Sequence, residues 1–215
     1  TEVQAEILSA VKEFVDNEII PVANELEHAD EYPTKIVEQM KEMGIFGLMI
    51  PEEYGGMGGG AMDSYLLCEV MARKDIGLAT AIFATFLGSD PILVGATDDQ
   101  KKRWLGAVAD DGIVFAYGAT EPDAGSDLAA LKTVARPIGE SGAVTGYRIT
   151  GAKQWISNGT IATHTLLYLN LDPAMGMAGG AWAVTEAMPY LRPTPAAGCC
   201  WSRTRKRCAP SAPAP

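Results

Sequence analysis

The feature that most constrains the fold is a change of texture at Ile113. Before it, apolar residues recur at helical spacing; after it, β-branched and aromatic residues come in short runs between turn residues. Strictly alternating strands and helices build parallel α/β sheets, whereas a block of helices followed by a block of strands belongs to α+β architecture. The expected fold class is therefore α+β. A helical N-terminal domain spans residues 1–111, a small antiparallel β-barrel-like domain spans 112–178, and a tail of different composition covers 179–215.

Within the helical block, Val3, Ile7, Val11, Phe14 and Val15 predict an amphipathic helix over 2–19, closed by Pro21. Thr34 is placed to cap a second helix carrying Ile36, Val37, Met40 and Met43 and ended by Gly44. Residues 45–60, with Pro51 and the glycines at 55, 56, 58, 59 and 60, read as a loop. A third helix is expected from Asp63 to about Arg73. The run Leu78 to Leu87 is apolar on nearly every face, which predicts burial on all sides. Asp98 and Asp99 open a fifth helix with Trp104, Leu105 and Val108. Strands are expected at 113–119, 133–136, 144–150, 153–156 and 165–170.

A formal charge of -10 argues against DNA or RNA as the main partner, since non-specific affinity for nucleic acid comes from Lys and Arg neutralising phosphates. Two histidines, with three of the four cysteines crowded near the end without paired spacing, do not make a metal centre. The N-terminus lacks the basic run, apolar core and small-residue cleavage site of a secretory signal, so an intracellular place is expected, cytoplasmic or, in a eukaryote, the mitochondrial matrix. Residues 77–96 form the most membrane-like window. Ser89-Asp90-Pro91 interrupts it after about a dozen residues, a length that suits a buried helix rather than a membrane span.

Two segments carry chemistry. Tyr117-Gly118-Ala119-Thr120-Glu121-Pro122-Asp123-Ala124-Gly125-Ser126-Asp127 is a strand running into a turn that offers backbone N–H groups and hydroxyls to a ligand. The same composition also suits a plain hairpin loop. In Gly151-Ala152-Lys153-Gln154-Trp155-Ile156-Ser157-Asn158-Gly159 a Trp meets a polar turn, either as core or as a platform for a flat ring.

Taken together, Tyr-x-x-Thr-Glu-Pro-x-x-Gly-Ser-Asp and Gly-x-Lys-x-Trp-Ile-Ser-Asn-Gly resemble the two flavin-binding signatures of the acyl-CoA dehydrogenase family. Ile19-Ile20-Pro21, residues 43–48 and residues 50–56 resemble that family's N-terminal domain, and the likeness runs from about residue 3 to 178. The resemblance implies FAD held between a helical domain, a β domain and a C-terminal four-helix domain. It implies that Tyr117, Ala119, Thr120, Gly125, Ser126, Trp155, Ile156 and Ser157 border the flavin and that Ser126 also touches the thioester. It further implies α,β-dehydrogenation of an acyl-CoA, an electron-transfer flavoprotein or similar acceptor, and a homo-oligomer. Oxidase-like or flavin monooxygenase-like relatives share the fold, and a non-catalytic fragment is the third reading. Ala119 is smaller than usual at its place, and Asp123 adds a carboxylate to the loop.

The family's catalytic carboxylate belongs to the C-terminal domain, so no catalytic base is expected within this sequence, and Glu121 is assigned to the flavin loop. Residues 179–215 hold six of thirteen prolines and five basic residues against the single acid Glu186, without apolar periodicity. Such a segment offsets little of its ordering entropy, and it is expected to be disordered or to reflect a shifted reading frame.

Overall fold

The computed structural model describes residues 2–29, 32–139, 143–159, 161–186 and 199–202. Two compact units emerge, one within Thr1–Ala116 and Ile161–His164, the other within Tyr117–Thr160 and Thr165–Pro215.

The first unit is helical. Helix α1 (Glu2–Phe14) does not stop near Pro21 but passes through a π turn, Val15–Ile19, into α2 (Ile20–Ala29). The wide turn closes from the Ile20 N–H to the Val15 carbonyl. Pro21 follows directly on this wide turn, which accommodates its missing N–H, so the proline does not break the rod. Helix α3 (Thr34–Glu42) buries Ile36, Val37 and Met40 and stops where Gly44 takes φ of 72°. Pro33, rather than Thr34, occupies its N-cap position, and the Thr34 hydroxyl donates instead to the Tyr32 carbonyl at 3.4 Å.

Helix α4 (Ala61–Ala72) starts where the Asp63 carboxylate accepts the Gly60 N–H at 2.8 Å. Helix α5 (Ile76–Gly95) starts where Asp75 accepts the Leu78 N–H at 2.9 Å and runs on through Ser89-Asp90-Pro91. It is thus long and apolar enough to cross a membrane by length and composition. Its middle is largely covered, with Ile82 and Ile92 fully buried, while near its ends Ile76 is 73% and Val94 86% exposed. Within Leu78–Leu87 the expected burial holds for Leu78, Ala79, Ile82, Ala84, Thr85 and Phe86 but not for Thr80 and Leu87, because an apolar residue type alone does not say which face has a neighbour. Helix α6 (Asp98–Asp111) opens with a reciprocal cap between Thr97 and Gln100 and buries Leu105 and Val108. Val11, Val15, Ile19, Met40, Phe46, Leu67, Met71 and Phe86 complete the unit's core.

Strands β1 (Phe115–Gly118), β2 (Val134–Ile138), β3 (Gly146–Thr150), β4 (His164–Asn170), β5 (Gly180–Glu186) and β6 (Cys199–Ser202) form one sheet in the order β1-β4-β2-β3-β6, with β5 also pairing β4. β2 and β3 are antiparallel from Val134↔Thr150 to Ile138↔Gly146. β2 and β4 touch in parallel at Val134↔Asn170, so the sheet is mixed rather than purely antiparallel. That brief contact also explains Pro137 inside β2: it has no β4 partner to which a missing N–H matters.

Two strand expectations change. Lys153–Ile156 is a turn, not a strand, because Trp155 takes φ of 57°, outside the β region. Residues Gly180–Glu186 and Cys199–Ser202 are strands, the latter antiparallel to β3, where the sequence suggested a structureless tail. Trp182, Val184 and Thr185 are aromatic or β-branched residues that suit a pleated ladder, so a high proline count farther along masked a local strand signal. The rest of that tail, 187–198 and 203–215, lies outside the described residues.

Asp75→Ala removes the acceptor at the α5 start and should cost about 1 kcal/mol. Chemical denaturation monitored by far-UV circular dichroism measures it, and an unchanged midpoint would assign the α5 start to packing alone.

Candidate functional site

The first signature leaves β1 and folds back on itself. The Glu121 N–H donates to the Ala124 carbonyl at 2.8 Å and the Ala124 N–H returns to the Glu121 carbonyl at 3.2 Å, with Pro122 and Asp123 at the tip. Asp127 then accepts the Ala129 N–H at 3.1 Å and starts a 3-10 turn, Leu128–Ala130. Between these two fixed points Gly125 and Ser126 stand exposed, and a Cβ built on Gly125 would meet nothing within 4 Å.

Glu121 lies beneath that loop, 4% exposed. One carboxylate oxygen, Oε2, accepts the Lys132 N–H at 2.6 Å. The other, Oε1, accepts the Thr133 N–H at 3.0 Å and the Lys153 ammonium at 2.8 Å. Lys153 also donates to the Ala119 carbonyl at 3.0 Å, and the Gln154 N–H donates to the Thr120 carbonyl at 3.0 Å. Hence the second signature is tied to the first at its third and fourth residues. Burial alone would push the Glu121 carboxyl up, but the Lys153 ammonium and the two backbone amides outweigh it and hold the group below its ordinary value. Burial pulls Lys153 down, opposed by the Glu121 charge.

Beyond Lys153 the chain turns sharply. Trp155 and Asn158 both have positive φ, 57° and 62°, a conformation that costs a side-chain-bearing residue about 1–2 kcal/mol. The turn closes with the Gly159 N–H on the Ile156 carbonyl at 3.0 Å. Trp155 is 84% exposed, an unusual state for the largest apolar side chain in the chain. Gly151, which opens this segment, passes so near β2 that an added Cβ would lie 2.6 Å from Thr133 Cα.

The predicted site residues therefore occupy different layers. Tyr117 is half-buried, its ring edge-to-face with Tyr168 at 5.3 Å, and Ala119 is 5% exposed. Thr120 and Ile156 are half-buried, while Gly125, Ser126, Trp155 and Ser157 face outward. Among the described residues the hydroxyls of Thr120, Ser126 and Ser157 make no hydrogen bond to protein. Exposed indole, free hydroxyls and an open glycine form a donor set that fits a flat heteroaromatic ring with a polar edge. The added carboxylate at Asp123 pairs with Lys132 at 2.6 Å on the surface, where such pairs contribute about 0.2–1 kcal/mol. Sequence reasoning assigned no role to Lys153. The one signal available was an acid and a base each placed inside a turn-forming motif, which composition does not distinguish from solvated charge.

Comparison with known proteins places this geometry. Residues 1–111 match the family model for the acyl-CoA dehydrogenase N-terminal domain, and residues 116–204 match that for the middle domain. The chain belongs to the acyl-CoA dehydrogenase family. The likeness extends past residue 178, in agreement with the strands found there. A probable medium-chain specific acyl-CoA dehydrogenase of Caenorhabditis briggsae is 33% identical over 172 residues, covering 80% of this chain and 41% of that protein. A structure solved in work on the electron transferring flavoprotein of Acidaminococcus fermentans is 32% identical with a TM-score of 0.80, covering 86% of this chain and 48% of the other. An acyl-CoA dehydrogenase from Bacillus anthracis complexed with FAD is 31% identical with a TM-score of 0.75, covering 86% and 32%. The chain spans less than half the length of the curated relatives it matches. Family members are oxidoreductases that depend on FAD.

Two outcomes follow from this geometry. Gly151→Ala forces β2 and the second signature apart and should cost about 1–3 kcal/mol in chemical denaturation; an unchanged midpoint would mean the strand end relaxes freely. Because the folded-state pKa of Glu121 is depressed, its contribution is complete above the ordinary value of 4.5 and is lost as pH falls from there through the lower folded value. The difference in urea midpoint between wild type and Glu121→Gln should thus be level above that pH and shrink below it. A difference independent of pH would remove the carboxylate charge from the account.

Proposed function

We propose that this chain is the helical and β portion of an FAD-dependent acyl-CoA dehydrogenase and that its two signature turns form one wall of the flavin site. The observation that carries the reading is Trp155, an 84% exposed indole held at positive φ beside unpaired hydroxyls. A large apolar ring is kept in such a costly posture where a ligand face covers it.

FAD when bound supplies the acceptor for the hydrogen taken from the acyl chain. The chain's own residues bind and orient. Trp155 offers its face to the ring system, with Ile156 behind it. The hydroxyls of Thr120, Ser126 and Ser157 and the backbone N–H groups around Gly125 donate toward polar edges, favouring negative charge there. Tyr117 and Ala119 form the inner side of the same loop. Ser126, at the outer edge, serves the thioester of an acyl-CoA substrate.

No carboxylate in the two turns suits α-proton abstraction, which calls for a raised pKa and free reach to the substrate. Glu121 is buried, fully engaged and depressed; Asp123 pairs with Lys132; Asp127 caps a turn. The base is accordingly assigned outside these turns, as the family resemblance implies. An electron-transfer flavoprotein or similar acceptor, assembly as a homo-oligomer, and an intracellular place, cytoplasmic or mitochondrial, complete the reading.

The test is the flavin absorbance of the purified chain after incubation with FAD and removal of excess. Retained absorbance with a protein-induced shift supports the reading, and Trp155→Ala should then weaken FAD binding about tenfold. A colourless protein counts against it. With flavin retained, bleaching by acyl-CoA under anaerobic conditions distinguishes a dehydrogenase from an oxygen-using relative.

A further inference from the structure

We propose that the buried Glu121–Lys153 pair is a positioning device that locks the two signature turns into one platform and so sets the posture of Trp155. The inference rests on the FAD-binding reading above and adds to it two residues that lie beneath the site rather than in it.

The pair joins segments 32 residues apart in sequence, with side chains only 11% and 3% exposed. Glu121 is anchored on its other side to the backbone where β2 begins, through Lys132 and Thr133. Glu121 is thus held to the start of β2 independently of Lys153, and Lys153 fastens the second signature to it. It stands two residues before Trp155, whose positive φ is unfavourable by itself and persists only if both flanks are held. On the far flank the Ile156–Gly159 turn closes the loop; on the near flank the holds are the Lys153 ammonium and the Gln154 N–H on Thr120. Releasing Lys153 leaves a single backbone hydrogen bond to resist relaxation of the indole into an extended conformation.

A pair that merely satisfied its own burial would behave differently. Removing one member would strand a buried charge, whereas removing both would restore the site, since buried pairs are commonly replaceable by neutral groups. A positioning pair is not restored that way, because the link itself is gone.

The experiment compares wild type, Lys153→Met, Glu121→Gln, Lys153→Arg and the double Glu121→Gln/Lys153→Met in the full chain. Two readouts are used: amide hydrogen exchange of residues 151–159 against that of α6, and FAD affinity by quenching of flavin fluorescence. Lys153→Met and the double variant are each expected to speed exchange at 151–159 by about tenfold or more with α6 unchanged, and to weaken FAD binding by about tenfold. Lys153→Arg, which keeps a charged donor, is expected to stay within about threefold of wild type in both. A double variant that returns to wild-type exchange, or exchange that rises equally in α6, overturns the proposal. Should Lys153→Met fail to fold, Glu121→Gln decides by the same comparison, since it removes the charge that holds Lys153 while keeping one oxygen for a backbone amide. Wild-type protein that retains no FAD would sink the cofactor reading, while the exchange ratio still decides whether the pair holds the turns.

Discussion

A carboxylate taken out of water is tolerated only where donors replace its hydration, and Glu121 organises the β unit around that requirement. Its three donors come from two different segments, Lys132 and Thr133 at the start of β2 and Lys153 past the end of β3. Meeting them fixes where β2 begins. The Thr133 carbonyl then accepts the Asn170 N–H at 2.8 Å, which makes the parallel contact of β2 with β4. The same residue crowds Gly151, so the position that follows β3 has to be a glycine. The start of β2 and the joining of the two signature turns thus depend on one buried charge rather than on separate features.

The site combines groups that are inert because they are committed with groups that are available because they are not. Glu121 and Lys153, the buried acid and base of the two signatures, are engaged with each other and with backbone groups. The outward groups are hydroxyls, an indole and a glycine, suited to shaping and polarising a bound ring and unsuited to moving a proton at neutral pH. On the reading proposed above, such a surface would take its redox chemistry from a bound cofactor and its base from outside the two turns.

Much of the architecture was legible in the chain. Helices with a clear apolar stripe and a local stop, such as α3 ending on Gly44, and helices with a cap, such as α6 at Thr97, depend on neighbours within four residues, the range over which sequence patterns speak. The first signature was recognisable as a strand running into a turn for the same reason. What escaped was set by distant partners. Pro21 and Pro91 each signal a helix end, yet the helices continue, because a π turn or surrounding packing accommodates the lost donor. Lys153–Ile156 has strand-like composition but is bent by a tether to Glu121. β5 was hidden by the proline-rich context that follows it, and the exposed edge of α5 could not be told from its buried one by residue type.

The π turn at Val15–Ile19 carries one residue more than an α-helical turn would. A helix advances about 100° per residue, so that extra residue sets the rotational phase between everything before it and everything after it. In the descent of such a chain, losing one residue from this turn would leave a smooth helix with good local propensity. It would also swing Val11 and Phe14 out of step with Ile19, parting apolar residues that now share one core. The turn therefore makes this stretch far more tolerant of substitution than of a change in length.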